Sequence, residues 1–136
     1  MASFVKFNSF VEALAEKVHN LGSDSLKYAL TNSAPSASNT QLSALTEISY
    51  TNCSARVPTI SSSAQTSGTY KLVLADLTLT ASGGTVGPFR YVVLYNDTAT
   101  NDELIAYWDY TSSITLADGE TFLIDADASN GILQIA

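Results

Sequence analysis

Positive charge is what this chain has least of. Six of its 136 residues are Lys or Arg, against thirteen Asp or Glu, and charged residues make up 14% where about a quarter is usual. The net charge of −7 and the scatter of Lys6, Lys17, Lys27, Arg56, Lys71 and Arg90 exclude a nucleic-acid surface, which needs clustered cations to displace counterions. Cys53 is the only cysteine, so no intrachain disulfide can form. His19 is the only histidine. With no HExxH and no Cys/His cluster, the sequence predicts no metal site. No apolar run approaches the roughly 18 residues of a membrane span. The segment MASFVKFNSF lacks the apolar core of a secretory signal. The expectation is a chain made in a soluble compartment, with neither membrane nor nucleic acid as a partner.

Hydrophobic residues are plentiful at 46%, which argues against disorder. The length predicts one domain over 1–136, with an N-terminal arm and helix in 1–22 and a β-sandwich in 25–136. Low charge leaves much neutral surface of Ser, Thr, Ala and Tyr for packing against another protein.

The most structured reading falls on Thr66–Asp97. Tyr70, Leu72 and Leu74 alternate with Lys71, Val73 and Ala75, which is the period of a half-buried strand. After Asp76 the parity flips to Leu77 and Leu79. A flip requires a bulge, a bend or a strand that changes sheets, and the kink is expected at Ala75–Asp76. Ser82-Gly83-Gly84 reads as the turn of a long hairpin, with Gly87-Pro88 ending it. The returning strand carries Phe89, Tyr91, Val93 and Tyr95 on one face and Arg90, Val92 and Leu94 on the other. Its middle is apolar on both faces.

A helix is expected over 9–21. Ser9 and Glu12 match a capping box, Phe10, Leu14, Val18 and Leu21 form a stripe, and Gly22 reads as the terminator. His19 is expected to face solvent near the helix end. Leu26, Tyr28 and Leu30 predict a strand over 25–32. Ser33–Thr46 and Ser61–Gly68 read as polar loops, with short strands at Glu47–Asn52 and Arg56–Ile60 between them. Asn96–Asp102 is a turn and Leu104–Tyr110 a strand. Asp118-Gly119 is the best hairpin signal, followed by strands at Phe122–Asp125 and Ile132–Ile135. One helix and about eight short strands point to a jelly-roll-like antiparallel β-sandwich.

The catalytic inventory is empty. His19 and Cys53 show no pairing that would activate a nucleophile. Gly83, Gly84 and Gly87 lack the Gly-Lys-Ser/Thr of a phosphate loop. Asp125, Asp127 and Ser129 resemble a calcium loop only in part, because the glycine comes one position late. Asp97, Asp102, Glu103 and Asp109 have no spacing specific to glycoside hydrolysis. Tyr107, Trp108 and Tyr110 could pack in the core or form an aromatic platform. No catalytic, cofactor or metal residue is therefore assigned, and an enzyme is not expected.

KFNSFVEALAEKVHNLGSDSLKYAL, TSGTYKLVLAD with SGGTVGPFRYVVLYND, and WDYTSSITLADGETFLIDADASNG together resemble the capsid cementing (decoration) proteins of short-tailed Bordetella bacteriophages and their relatives. The resemblance covers nearly the whole chain and is weakest over Ser33–Ser63. It implies a jelly roll on the outside of an HK97-like capsid, clamping the major capsid protein, commonly as a homodimer. It also implies a virion location after synthesis in the host cytoplasm. On that reading Phe4, Lys6 and Phe7 form an extended N-terminal contact, Tyr107 and Tyr110 an exposed aromatic face, and Arg90 a charged contact. Two alternatives remain: a tail- or baseplate-associated structural protein, and a jelly-roll carbohydrate-binding (receptor) module.

Overall fold

Period-two alternation dominates the sequence beyond Leu26, and the computed structural model, which describes residues 2–136, is mainly β. Its strands are β1 (Ser3–Lys6), β2 (Leu26–Thr31), β3 (Ile60–Thr66), β4 (Thr69–Leu74), β5 (Leu77–Thr80), β6 (Val86–Asn96), β7 (Leu104–Leu116), β8 (Thr121–Ile124) and β9 (Leu133–Ile135). The one α-helix among the described residues, α1, is Phe10–Ala15. The nine strands form three antiparallel sheets, with orders β1-β7-β6-β2, β3-β4-β9 and β5-β8. The pairs β6·β7, β5·β8 and β4·β9 nest in sequence around the β6–β7 turn.

Burial explains why β6 is apolar on both faces. Val92 and Leu94 join Leu26, Tyr28, Leu30, Leu72, Leu79 and Phe89 in the main core. Val93 and Tyr95 point the other way, into a smaller cluster with Phe7, Ala29 and Leu104, against which Leu42 and Leu45 pack. Each buried Val, Leu or Phe among them contributes roughly 1.5–3 kcal/mol by leaving water. The loop carrying Leu42 and Leu45 is held down by Leu42 N–H donating to Asp102 O (3.1 Å) and Leu104 N–H to Thr40 O (3.0 Å). Two-faced apolarity therefore does not by itself require an outside partner, because a polar-looking loop supplies the second cover.

The parity flip at Ala75–Asp76 is a change of sheet: β4 lies in the three-stranded sheet and β5 pairs with β8. The long hairpin expected across Ser82–Gly84 does not form, since β5 and β6 occupy different sheets. The same holds at Asp118-Gly119, where the turn forms but joins β7 to β8 across sheets. The two turns brace each other, with Gly83 N–H donating to Asp118 Oδ1 (2.9 Å) and Gly119 N–H to Ala81 O (2.8 Å). Nor does Gly87-Pro88 end a turn; both lie inside β6. A Cβ on Gly87 would meet Ile114 O at 2.6 Å, so the strands approach there more closely than another residue allows.

The helix is shorter than its apolar stripe. Ser9 already has helical dihedrals and makes no side-chain cap, so the expected capping box is absent. The stop comes at Lys17, with φ of 67°, and not at Gly22. Val18 N–H bonds Ala13 O (2.8 Å) and Lys17 N–H bonds Leu14 O (3.3 Å), the paired bonds of a Schellman ending. His19, beyond this stop, is 4% exposed rather than solvent-facing. Ser61–Gly68 also departs from expectation. Most of it is β3, joined to β4 by Ser67-Gly68 with φ of 51° and 84°, the positive pair of a two-residue hairpin. The expected strands at 47–52 and 56–60 do not form: the first makes only the isolated bridge Thr31↔Glu47, and a strand begins only at Ile60.

Candidate partner-binding edge

The N-terminal segment SFVKF is itself an alternating strand, and this is what the arm reading missed. β1 pairs with β7 in the register Phe4↔Trp108, Val5↔Tyr107 and Lys6↔Ala106. Phe7 N–H continues the ladder by donating to Ile105 O (3.1 Å). Antiparallel pairing alternates, so the backbone groups of Phe4 and Lys6 point away from β7, toward the open edge. Phe4 is 44% exposed and Lys6 is exposed. Phe7, in contrast, is fully buried in the smaller cluster and presents no surface. The expected three-residue contact thus divides into Phe4 and Lys6 on the outside and Phe7 as the anchor beneath them.

Phe4 rests on a ladder of rings. Its centroid is 5.5 Å from Trp108, edge to face, and Trp108 is 6.2 Å from Tyr28 in the same manner. Trp108 is held from both sides and half-buried, which leaves Phe4 as the exposed cap of the stack. Tyr107 and Tyr110 do not form one aromatic face. Tyr107 packs against Phe7 (5.3 Å) and Tyr91 (6.2 Å) with the smaller cluster, whereas Tyr110 packs against Phe122 (5.0 Å) with the main core. Burial raises the Tyr110 hydroxyl above its usual range.

Arg90 is not a free cation. Its Nε donates to Asp109 Oδ1 (2.7 Å) and a terminal nitrogen to Asp109 Oδ2 (3.0 Å), and its guanidinium lies 5.2 Å from the Tyr91 ring centre. The paired Arg90 and the Thr111 N–H hold the Asp109 carboxyl below its usual range. Asp109 lies opposite Ser3, so the pair borders the start of β1.

The opposite edge of the same sheet is closed. Tyr28 N–H donates to Arg56 O (2.9 Å) and the Arg56 guanidinium donates back to Tyr28 O. Leu30 N–H donates to the Tyr50 hydroxyl (2.9 Å), and Leu30 O accepts from Ile48 N–H (3.0 Å). Arg56 lies over the Tyr50 ring at 3.5 Å, and Tyr50 also donates to Glu47 Oε1 (2.7 Å). Burial pushes the Tyr50 hydroxyl up, beyond what Arg56 offsets. Two side chains and two backbone groups of irregular chain stand in for a missing strand, and no period or motif in YTNCSAR announces it.

The other sequence candidates are scattered. Burial raises the Cys53 thiol, and its backbone bridges Ala81. Asp127 spends Oδ1 on the N–H groups of Ser129 and Asn130 (both 2.8 Å), closing its own turn. No group of three His, Cys, Asp or Glu is gathered as a metal would need among the described residues. No helix of the described residues is long and apolar enough to cross a membrane. Comparison with protein-family models, with curated proteins and with solved structures finds no match.

Proposed function

We propose that the chain is a structural virion protein that binds the outside of an HK97-like phage capsid and cements neighbouring major capsid subunits. The observation that carries this reading is the open β1 edge. It offers backbone groups with no partner among the described residues beside exposed Phe4 and Lys6, while the far edge is closed from within the chain. An open edge is a template for an added strand, whose main-chain bonds give affinity and whose side chains give specificity. Many copies with modest contacts of this kind gain avidity on a repeating shell. The resemblance over the N-terminal segment and the two turn regions supports the same reading. The nested strand pairs support a jelly-roll-like winding of the chain. The protein acts by burying surface across capsomer joints, without catalysis or cofactor, as a homodimer on the shell.

The test is co-sedimentation with capsids stripped of this protein, scored as copies bound per major capsid subunit. A saturating ratio near one to one, with a raised shell melting temperature, is expected. A few copies per particle would give the protein to the tail or baseplate. Binding to glycan with quenching of Trp108, and none to capsids, would make it a receptor-binding module.

A further inference from the structure

Asn96 ends β6 fully buried, and its side-chain amide is fixed in orientation. Its Oδ1 accepts the backbone N–H groups of Thr98 (3.0 Å) and Ala99 (3.1 Å), so Nδ2 must be the amino end. Nδ2 has two protons to place. One goes to Asp24 Oδ2 (2.7 Å), and the other faces His19 Nδ1 at 3.0 Å. A donor at Nδ2 requires an acceptor at Nδ1, so the His19 ring is neutral and carries its proton on Nε2. That Nε2 is buried and has no partner among the described residues. The ring is stacked on Phe10 at 5.3 Å. Asp24 also accepts Asn20 N–H (2.8 Å), so the same three side chains tie the α1–β2 connection to the β6–β7 turn.

We propose that His19, Asn96 and Asp24 form an acid-sensitive latch between the α1–β2 connection and the β6–β7 turn. Protonating Nδ1 sets a donor against the Asn96 donor and leaves a charged ring enclosed, so the latch opens. The groups facing His19 act in both directions. Asp24 on the connection and Glu103 beyond the turn favour the charged ring, while Lys17 lines the same cleft, with Tyr70 of β4 and Ile135 of β9 across it. Burial outweighs the two carboxylates and lowers the His19 pKa. The unfolded chain, with an ordinary value of about 6.5, then binds more protons in mild acid. Stability contributed here is complete above about pH 6.5 and is lost as pH falls toward the folded value. Histidine is the one side chain with an ordinary value in that window, and the chain has no other.

The experiment is amide hydrogen exchange of the intact protein between about pH 7 and pH 5.5, corrected for intrinsic rates, with ¹⁵N NMR of the His19 ring. Thr98 and Ala99 should lose protection by about tenfold on acidification, while Val92 and Val93 in the ladder keep theirs. His19→Gln, which retains an acceptor but cannot titrate, should show no such loss. The ring spectrum should report the Nε2–H tautomer and a depressed pKa. An Nδ1–H tautomer, an undepressed pKa, or the same loss in His19→Gln would overturn the latch. If His19→Gln does not fold, tautomer and titration of the unaltered protein decide the matter.

Discussion

At the β2 edge, the outward N–H and C=O of Tyr28 and Leu30 are all answered by Arg56, Tyr50 and Ile48, whereas on β1 those of Phe4 and Lys6 meet no partner among the described residues. The sheet is the same and the strands are of similar length, so backbone chemistry alone does not decide which edge is closed. What differs is the length of chain available to fold back. Twenty-eight residues separate β2 from β3 and can wrap the β2 edge, while only Phe7, Asn8 and Ser9 separate β1 from α1. The covered edge is the one buried in the fold, and the uncovered edge is the one equipped with an exposed ring and a cation. Proteins normally blunt a free edge. Lys6 does so in part, and what remains is suited to a partner strand.

The largest expected effect separates neighbours on β1. Phe7→Ala removes a fully buried ring and should cost about 3–5 kcal/mol, read as a lower midpoint in urea. Phe4→Ala should leave that midpoint nearly unchanged yet weaken capsid attachment about tenfold. If the two variants lose stability alike, Phe4 belongs to the core and the edge has no exposed anchor.

Next comes the closed edge. Tyr50→Phe leaves Leu30 N–H, on a residue with no solvent exposure, without its acceptor. A loss of about 1–3 kcal/mol is expected in thermal or urea unfolding. Capsid attachment should be unaffected if docking uses the β1 edge, as proposed. Loss of attachment at preserved stability would move the interface to β2.

A smaller effect on stability, but a selective one on binding, is expected of Lys6→Pro. The lost N–H points outward, so the β1–β7 ladder survives while strand addition is blocked. Lys6→Ala separates the backbone effect from the charge: attachment should fall about tenfold for proline and less for alanine. Val5→Pro, whose N–H faces β7, should destabilise the fold instead. Equal attachment of the proline variant and the original protein would remove strand addition from the mechanism.

The contrast between edges also marks what could be read before the structure. Strand periodicity located β4 and β7, where alternation records burial, and runs of apolar residues located β2 and β6, which are buried on both faces; the parity flip at Asp76 marked a break that the structure resolves as a change of sheet. β3 (ISSSAQT) escaped because it is largely exposed and little in it needed to be apolar. The turns at Gly83 and Asp118-Gly119 were legible as turns, but not the sheets they connect, since turn chemistry is local and pairing is not. In the candidate site, Phe4 and Lys6 were visible as exposed residues of a short segment. Phe7 was misjudged because the apolar pocket above it is built by Leu42 and Leu45 from a loop that looks polar. The Tyr50–Arg56 bracket had no periodic signal at all.

The smallest effect belongs to the pair that borders the open edge. Arg90 and Asp109 are partly exposed, and surface pairs are screened by solvent and salt. Arg90→Ala should therefore lower the melting temperature only slightly near pH 7, and less still in about 1 M salt. Acid adds a sharper signature. The Asp109 carboxyl is held below its usual range by Arg90 and the Thr111 N–H, so the unfolded chain takes up its proton first. The stabilisation is complete above about pH 3.9 and disappears as pH falls below that value. Melting curves of Arg90→Ala and the original protein should converge below that pH. A deficit that persists in acid and in salt would assign the role of Arg90 to packing over Tyr91, and the edge would then be bordered by a covered ring rather than by a fixed charge pair.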